Sequence, residues 1–306
     1  LKRIVSVSLG SSKRNHTATT VILGEQVVVE RIGTDGDMNK AVALIRELDG
    51  KVDAFGLGGI DLYLHAGGRR YKFRDAQRLV DAAAKTPVVD GSGLKNTLER
   101  RVVHYFNQEI APLKGKKVLL VSSVDRFGMA EAFTELEADT IFGDLMFGLG
   151  LQIPIRRLNT IHVLARVMLP VLTQLPFKWL YPTGEKQEQR EVRYAGYYQW
   201  ADIIAGDWLY IGRHMPDRLD GKVILTNTVT PANVEELRER GVAMLVTTTP
   251  NIGGRSFGTN LMEALIVATA GKRPEEMQRA DYEAWLDRIG FAPRVERFGA
   301  ASPAAD

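Results

Sequence analysis

Short apolar runs closed by polar turns alternate with segments whose apolar residues recur every three or four positions. Residues 3–32 hold three strand-like runs, RIVSVSLG, TATTVILG and QVVVERIG, with Gly24-Glu25 as a hairpin turn between the last two. Asp35-Gly36-Asp37 then opens a helix that carries Ala41, Leu44, Ile45 and Leu48 on one face. A strand VDAFGLGG and the run Leu62-Tyr63-Leu64 follow. Residues 69–75 lead into a helix faced by Ala76, Leu79, Val80 and Ala83, then a strand over 86–89 and a helix over 94–106. Pro112 and the Gly115 turn mark a boundary in 107–115.

Beyond it, Val118 to Val121 is too short for a helix and reads as a buried parallel strand. A helical pattern begins at Gly128-Met129-Ala130 and runs through Phe133 and Leu136. Strands are expected at 140–142, 201–205, 222–226 and 242–247, and helices at 231–240, between Thr230 and Gly241, and at 260–269. One more amphipathic helix falls in 274–291, and 300–306 reads as a disordered tail. This alternation predicts an α/β protein of two domains. A mixed-sheet N-terminal domain spans 1–113. A Rossmann-like, parallel-sheet NAD(P)-binding domain spans 114–272, with a helical insertion at 148–182, and 273–306 form a C-terminal helix and tail.

Composition narrows the function classes. The 306 residues are 45% hydrophobic and 25% charged, as in a soluble globular protein, and long enough for two cores. A net charge of +3, with no dense Lys/Arg run, gives no reason to expect nucleic acid. The absence of cysteine excludes disulfides, thiolate metal sites and cysteine nucleophiles. Histidines 16, 65, 104, 162 and 214 show no HxH or HExxH spacing, so no metal site is expected. The chain enters a strand at Ile4–Val7 without a signal peptide, which points to the cytoplasm. The apolar stretch from Leu158 to Pro182 is of membrane length. Arg166, Lys178, Pro170 and Pro176 interrupt it, which argues against a span. It reads as a helix pair at a homodimer interface or lining an apolar pocket, with attachment to a membrane surface as the other option. Tyr181, Gly184 and Lys186 follow in position to cover a crevice.

Four places carry candidate chemistry. The turn Ser122-Ser123-Val124-Asp125, with Gly128 behind it, joins a strand to a helix N-terminus, where a dinucleotide fold holds pyrophosphate. Serines and an aspartate stand where GxGxxG would put glycines. Asp144 ends the next strand, in the place of an acid that binds ribose hydroxyls; a solvated loop aspartate is the other reading. Asp90, in VVDGSGLK, ends a strand, where it can accept a hydroxyl proton or pair with a lysine; as a helix cap it would contribute about 1 kcal/mol. The loop TTTPNIGGRSFGTN offers Gly253, Gly254, Arg255, Ser256 and Thr259 to an anionic substrate, and Thr226-Asn227-Thr228 closes the adjacent strand.

The segment from Val88 to Arg101 followed by KGKKVLLVSSVDRFGMAEAF resembles the shikimate and quinate dehydrogenases, quinate 5-dehydrogenase included, over a tenth to a fifth of the chain. Asp90-Gly91-Ser92-Gly93-Leu94 matches the DGxGL part of that family's aspartate segment. The resemblance implies NAD- or NADP-dependent oxidation of a polar hydroxy acid or reduction of a keto acid, with Asp90 catalytic. The family's NxTxPxK lysine segment has no counterpart, and Lys72 stands nearest to that role. The SxS element has an echo in Ser11-Ser12 with His16. A second reading stays open: a non-catalytic nucleotide or metabolite sensor on a degenerate Rossmann fold, without a working glycine turn.

Overall fold

The computed structural model describes residues 1–66, 69–175, 191–227, 229–249, 251–252, 255–256 and 258–299; of 65–66, 69–70, 251–252 and 255–256 it describes the backbone. The chain forms two compact α/β units that do not follow sequence order. The first comprises Leu1–Leu98, His162–Gln189 and Gly258–Phe291, and the second Glu99–Ile161, Arg190–Phe257 and Ala292–Asp306. Sequence order alone had divided the chain at residue 113.

The first unit is built on a five-stranded mixed sheet of order β2-β3-β1-β4-β7. Its strands are β1 (Lys2–Ser8), β2 (His16–Ile22), β3 (Glu25–Gly33), β4 (Ala54–Gly58) and β7 (Val88–Val89). β1 lies parallel to β3 and β4, β4 parallel to β7, and β2 antiparallel to β3. The hairpin between β2 and β3 turns on Leu23 and Gly24, both at positive φ (52° and 82°), the backbone of a type I′ turn. Helix α1 (Met38–Leu48) is capped by Asp37, whose carboxylate accepts the N–H groups of Asn39 and Lys40. A small hairpin of β5 (Tyr63–Ala66) and β6 (Arg69–Lys72) and a single-turn helix α2 (Gln77–Val80) precede β7. Helix α3 (Ser92–Tyr105) follows it.

What covers this sheet comes from much later in the chain. Helix α9 (Thr259–Ala270) lies against β4 and β1, and glycines make its close approach possible. A Cβ on Gly56 would stand 2.7 Å from the Asn260 carbonyl oxygen. One on Gly91, whose φ is +94°, would stand 2.6 Å from the Asn260 nitrogen. This contact draws residues 258–291, with helix α10 (Arg279–Arg288), into the first unit, where sequence order would leave them beside the parallel sheet.

The second unit holds a six-stranded sheet of order β9-β8-β10-β11-β12-β15. Its strands are β8 (Lys117–Leu120), β9 (Asp139–Phe142), β10 (Ile203–Ala205), β11 (Val223–Thr226), β12 (Met244–Thr247) and β15 (Arg294–Arg297). Five run parallel, and β15 closes the edge antiparallel to β12. β9 lies on one side of β8 and the later strands on the other, so the order reverses between β8 and β10, as in a Rossmann-like doubly wound sheet. Helices α4 (Phe127–Glu135), α6 (Ala195–Trp200), α7 (Trp208–His214) and α8 (Pro231–Glu239) intervene. Leu119, Val121, Ile204, Ile224, Leu245, Tyr198, Trp208 and Leu237 form part of its core. A short hairpin, β13 (Asn251–Ile252) with β14 (Arg255–Ser256), follows β12.

Helix α5 (Leu158–Leu172) forms the first part of the expected insertion. It buries Ile161, Ala165 and Leu169, and exposes Val163, Val167 and Val171. Residues 176–182 of that insertion, and with them Lys178, Tyr181, Gly184 and Lys186, lie outside the described residues, as do 300–306. Among the described residues no helix is long and apolar enough to cross a membrane.

Candidate functional site

The carboxyl ends of the parallel strands in the second unit carry a row of polar side chains. β8 leads into the turn Ser122–Asp125, and Arg126 stands at the N-cap of α4. A helix start of this kind offers free N–H groups to an anion. Here two of the turn's N–H groups are taken: Ser123 and Val124 both donate to Asp144 Oδ1 at 2.9 Å. The Ser123 hydroxyl donates to the other Asp144 oxygen, and the Ser122 hydroxyl to Asp125. Burial raises the Asp144 carboxyl above its ordinary range, aided by the nearby Asp125 charge and opposed by the Ser123 hydroxyl and the two N–H groups. Asp144 therefore sits at the end of the second parallel strand with its carboxylate turned into the protein. Gly128 is buried in the first turn of α4.

Beside this turn lies a buried ion network. Arg126, 1% exposed at its side chain, pairs with Glu99, which is 0% exposed. Arg126 also reaches Asp207 Oδ2 at 2.9 Å and Asp125 at 3.9 Å. Asp207 follows β10 and caps α7 through the Leu209 N–H at 2.8 Å. Its Oδ2 accepts from Asn227 Nδ2 at 3.0 Å, and Asn227 Oδ1 accepts the Trp208 N–H at 3.3 Å. Thr226 donates to Asn227 Oδ1 at 3.4 Å, and Thr249 to the Asn227 carbonyl at 3.4 Å. Thr248 is wholly buried, and its hydroxyl has no hydrogen-bond partner among the described residues. One guanidinium thus serves Glu99, Asp207 and Asp125, with Asp144 close by.

Acceptors dominate this row. A pyrophosphate seated on the β8 turn would need the N–H groups that Asp144 holds, and would face Asp125 and Asp207. The residues present do not fit a dinucleotide bound in that manner.

In the first unit, Asp90 sits after β7, and its carboxylate is held entirely by main chain. Oδ2 accepts from Leu62 N at 2.6 Å and Tyr63 N at 3.1 Å, and Oδ1 from Ser92 N at 3.0 Å. Ser92 is the first residue of α3, so Asp90 ties that helix start to the chain entering β5. Lys72 lies opposite Tyr63 in the β5–β6 register. Another lysine, Lys95 in the first turns of α3, pairs with Asp61 at 3.0 Å. Beneath the turn, the buried Glu263 of α9 accepts from Gly91 N and from the Tyr282 hydroxyl, both at 2.7 Å.

Of the other expected residues, Thr259 is buried at the start of α9. Gly253, Gly254 and Thr228 lie outside the described residues; Arg255 and Ser256 lie in β14, with side chains outside the description. Among the described residues no group of three or more His, Cys, Asp or Glu is placed to hold a metal ion. Sequence reasoning passed over Glu99, Arg126, Asp207 and Glu263. Two of these left a signal: Asp207 stands as a cap before the aromatic helix WLYIGRH, and Glu263 is a lone charge in TNLMEALIVATA.

Residues 93–298 match a family model described as Domain of unknown function (DUF8754), and residues 3–90 one described as Domain of unknown function (DUF8753). The first match covers more than half of the chain, which belongs to the DUF8754 family. No curated protein matches the sequence. Similar solved structures include the NAD-dependent malic enzyme of Thermotoga maritima, at 14% identity over 94% of this chain and 84% of that one, with a TM-score of 0.31. The L-tryptophan dehydrogenase of Nostoc punctiforme is 10% identical over 94% and 81%, with a TM-score of 0.36. An ABC transporter solute binding protein from Agrobacterium vitis, bound with alpha-D-tagatopyranose, is 12% identical over 89% of each chain, with a TM-score of 0.35.

Proposed function

We propose that the chain binds a small polar metabolite at the carboxyl ends of β8, β10, β11 and β12, recognising its hydroxyl or ammonium groups, and that it serves as a metabolite sensor or carrier. One observation carries this reading: Asp144 holds the two turn N–H groups that a dinucleotide would use, beside an aspartate that repels phosphate. A row of Asp125, Asp207, Asn227 and Thr248 offers mostly acceptors, which suit a ligand rich in donors. The strand ends at an order reversal are where open α/β sheets take ligands.

The NAD(P)-dependent oxidoreductase reading, with a polar hydroxy or keto acid as substrate, keeps one observation in its favour: the reversal between β8 and β10 is also where doubly wound sheets seat nucleotides. Titration calorimetry separates the two. The expected result is saturable heat with a member of a panel of monosaccharides, polyols, nucleosides and amines, weakened by Asp125→Asn, and no heat with NAD or NADP at millimolar concentration. Saturable NAD binding that Ser123→Asp abolishes would overturn the sensor reading and restore the dehydrogenase.

A further inference from the structure

Glu263 is the one charged residue of α9 and is 3% exposed. Its carboxyl group joins three segments. Oε1 takes the Tyr282 hydroxyl of α10 and Oε2 the N–H of Gly91, in the turn between β7 and α3. The fit leaves no slack: a Cβ on Gly93 would stand 2.2 Å from Glu263 Oε1 and 2.6 Å from the Tyr282 oxygen. Asp90 is the neighbour of Gly91, and its three main-chain bonds reach to Leu62 and Tyr63 at the entry to the β5–β6 hairpin.

The charges facing this carboxyl group are unbalanced. Asp90 approaches from the β7–α3 turn and Lys95 from α3, while α10 contributes only the neutral Tyr282. Lys95 is itself committed to Asp61, in the segment between β4 and β5. The Tyr282 hydroxyl and the Gly91 N–H both donate to Glu263 and favour its ionised form, so what opposes ionisation is its burial and the neighbouring Asp90. An ionised Glu263 places a second negative charge beside Asp90 in a buried space.

We propose that Glu263 is a proton-operated latch, which when neutral holds α10 and the β7–α3 turn against α9, and when ionised loosens that turn and the β5–β6 hairpin braced on it. The first unit thereby becomes pH-responsive at the strand ends of its sheet. Burial first, and Asp90 second, push the Glu263 carboxyl up to about 7, against the Tyr282 hydroxyl, the Gly91 N–H and Lys95. The folded value lies above the ordinary 4.5, so the stabilisation is complete below pH 4.5 and lost as pH rises through about 7.

The test is made on the full chain by carboxyl carbon NMR and amide hydrogen exchange between pH 4 and 9. The Glu263 carboxyl is expected to titrate near 7. Protection of the Gly91 and Tyr63 amides, corrected for intrinsic exchange, should fall by up to about tenfold per pH unit between 4.5 and 7 and level off above. Glu263→Gln should flatten that profile. Tyr282→Phe and Lys95→Gln should each move the carboxyl midpoint upward, since each removes a group that favours the ionised form. A carboxyl midpoint near the ordinary 4.5, or protection independent of pH in the unaltered chain, would overturn the proposal. If Glu263→Gln fails to fold, the carboxyl titration and the Tyr282→Phe shift still decide.

Discussion

Replacing Arg126 by leucine tests the ion network of the second unit. The substitution leaves Glu99 with no exposure and no guanidinium, and takes from Asp207 a contact of 2.9 Å. Removing one partner of a buried pair costs about 3–5 kcal/mol, and three carboxylates sharing one cation place Arg126→Leu at the upper end. Glu99→Leu should cost about 3 kcal/mol, because Arg126 keeps Asp207 and Asp125. The double variant Glu99→Leu/Arg126→Leu replaces a buried pair by apolar volume. Asp207 keeps Asn227 Nδ2 and the Leu209 N–H, and its side chain is 23% exposed. The double variant should therefore lie within about 2 kcal/mol of the unaltered chain, giving a coupling of about 6 kcal/mol or more. Urea unfolding is the assay, followed separately in each unit because two units need not unfold together. Trp200 and Trp208 report on the second and Trp285 on the first. A double variant as costly as the sum of the singles, or an Arg126→Leu cost under about 1 kcal/mol, would refute the account of a coupled network.

Gly91→Ala, at a φ of +94° and with its Cβ 2.6 Å from Asn260 N, should destabilise the first unit by about 3 kcal/mol or more, seen as a lower melting temperature of that unit alone. Asp144→Ala leaves the Ser123 and Val124 N–H groups without their acceptor, at about 1–3 kcal/mol each if they stay buried; phosphate titration of that variant should show weak binding that the unaltered chain lacks. Thr230→Ala removes the capping box of α8 and should cost about 1 kcal/mol by urea unfolding. Desolvation raises the Asp49 carboxyl, but the N–H groups of Ala84, Thr86 and Lys85 together outweigh it and draw it down to about 2. Its stabilisation is present above pH 3.8 and lost as pH falls through about 2, so Asp49→Asn should flatten acid unfolding in that window.

Strand and helix alternation was legible because the apolar runs and the helical spacings differ in period. β1, β3, β4, β8, β11 and β12 form close to where those runs lie, and α8 sits between Thr230 and Gly241 as its caps indicate. β15 escaped notice because RVER is charged and pairs only at the sheet edge, where one half-exposed face suffices. The return of 258–291 to the first sheet was hidden for another reason. Its signal is steric, carried by Gly56 and Gly91, which a linear reading takes as strand and turn glycines. The candidate turn was located correctly as a strand-to-helix junction, but the occupation of its N–H groups by Asp144 is a contact over 20 and 21 residues that no local pattern encodes. Arg126 was passed over because arginines are seldom fully buried.

The dependence of the first sheet on α9 also sets a schedule for synthesis. Gly91 and Glu263 are 172 residues apart, so a ribosome adding about 5–20 residues per second takes on the order of 10–30 s between them. During that interval β4 and β1 have been made while the helix that lies on them has not. The face of the nascent first sheet that α9 will cover, with Ile4, Ser6, Ala54 and Gly56 on it, therefore stays without its helix for the whole time the second unit is emerging. Contacts of such long sequence separation are formed late and slowly. The first unit is therefore complete only once residue 270 is free of the tunnel, and a transcript truncated before that point would yield its sheet without the covering helix.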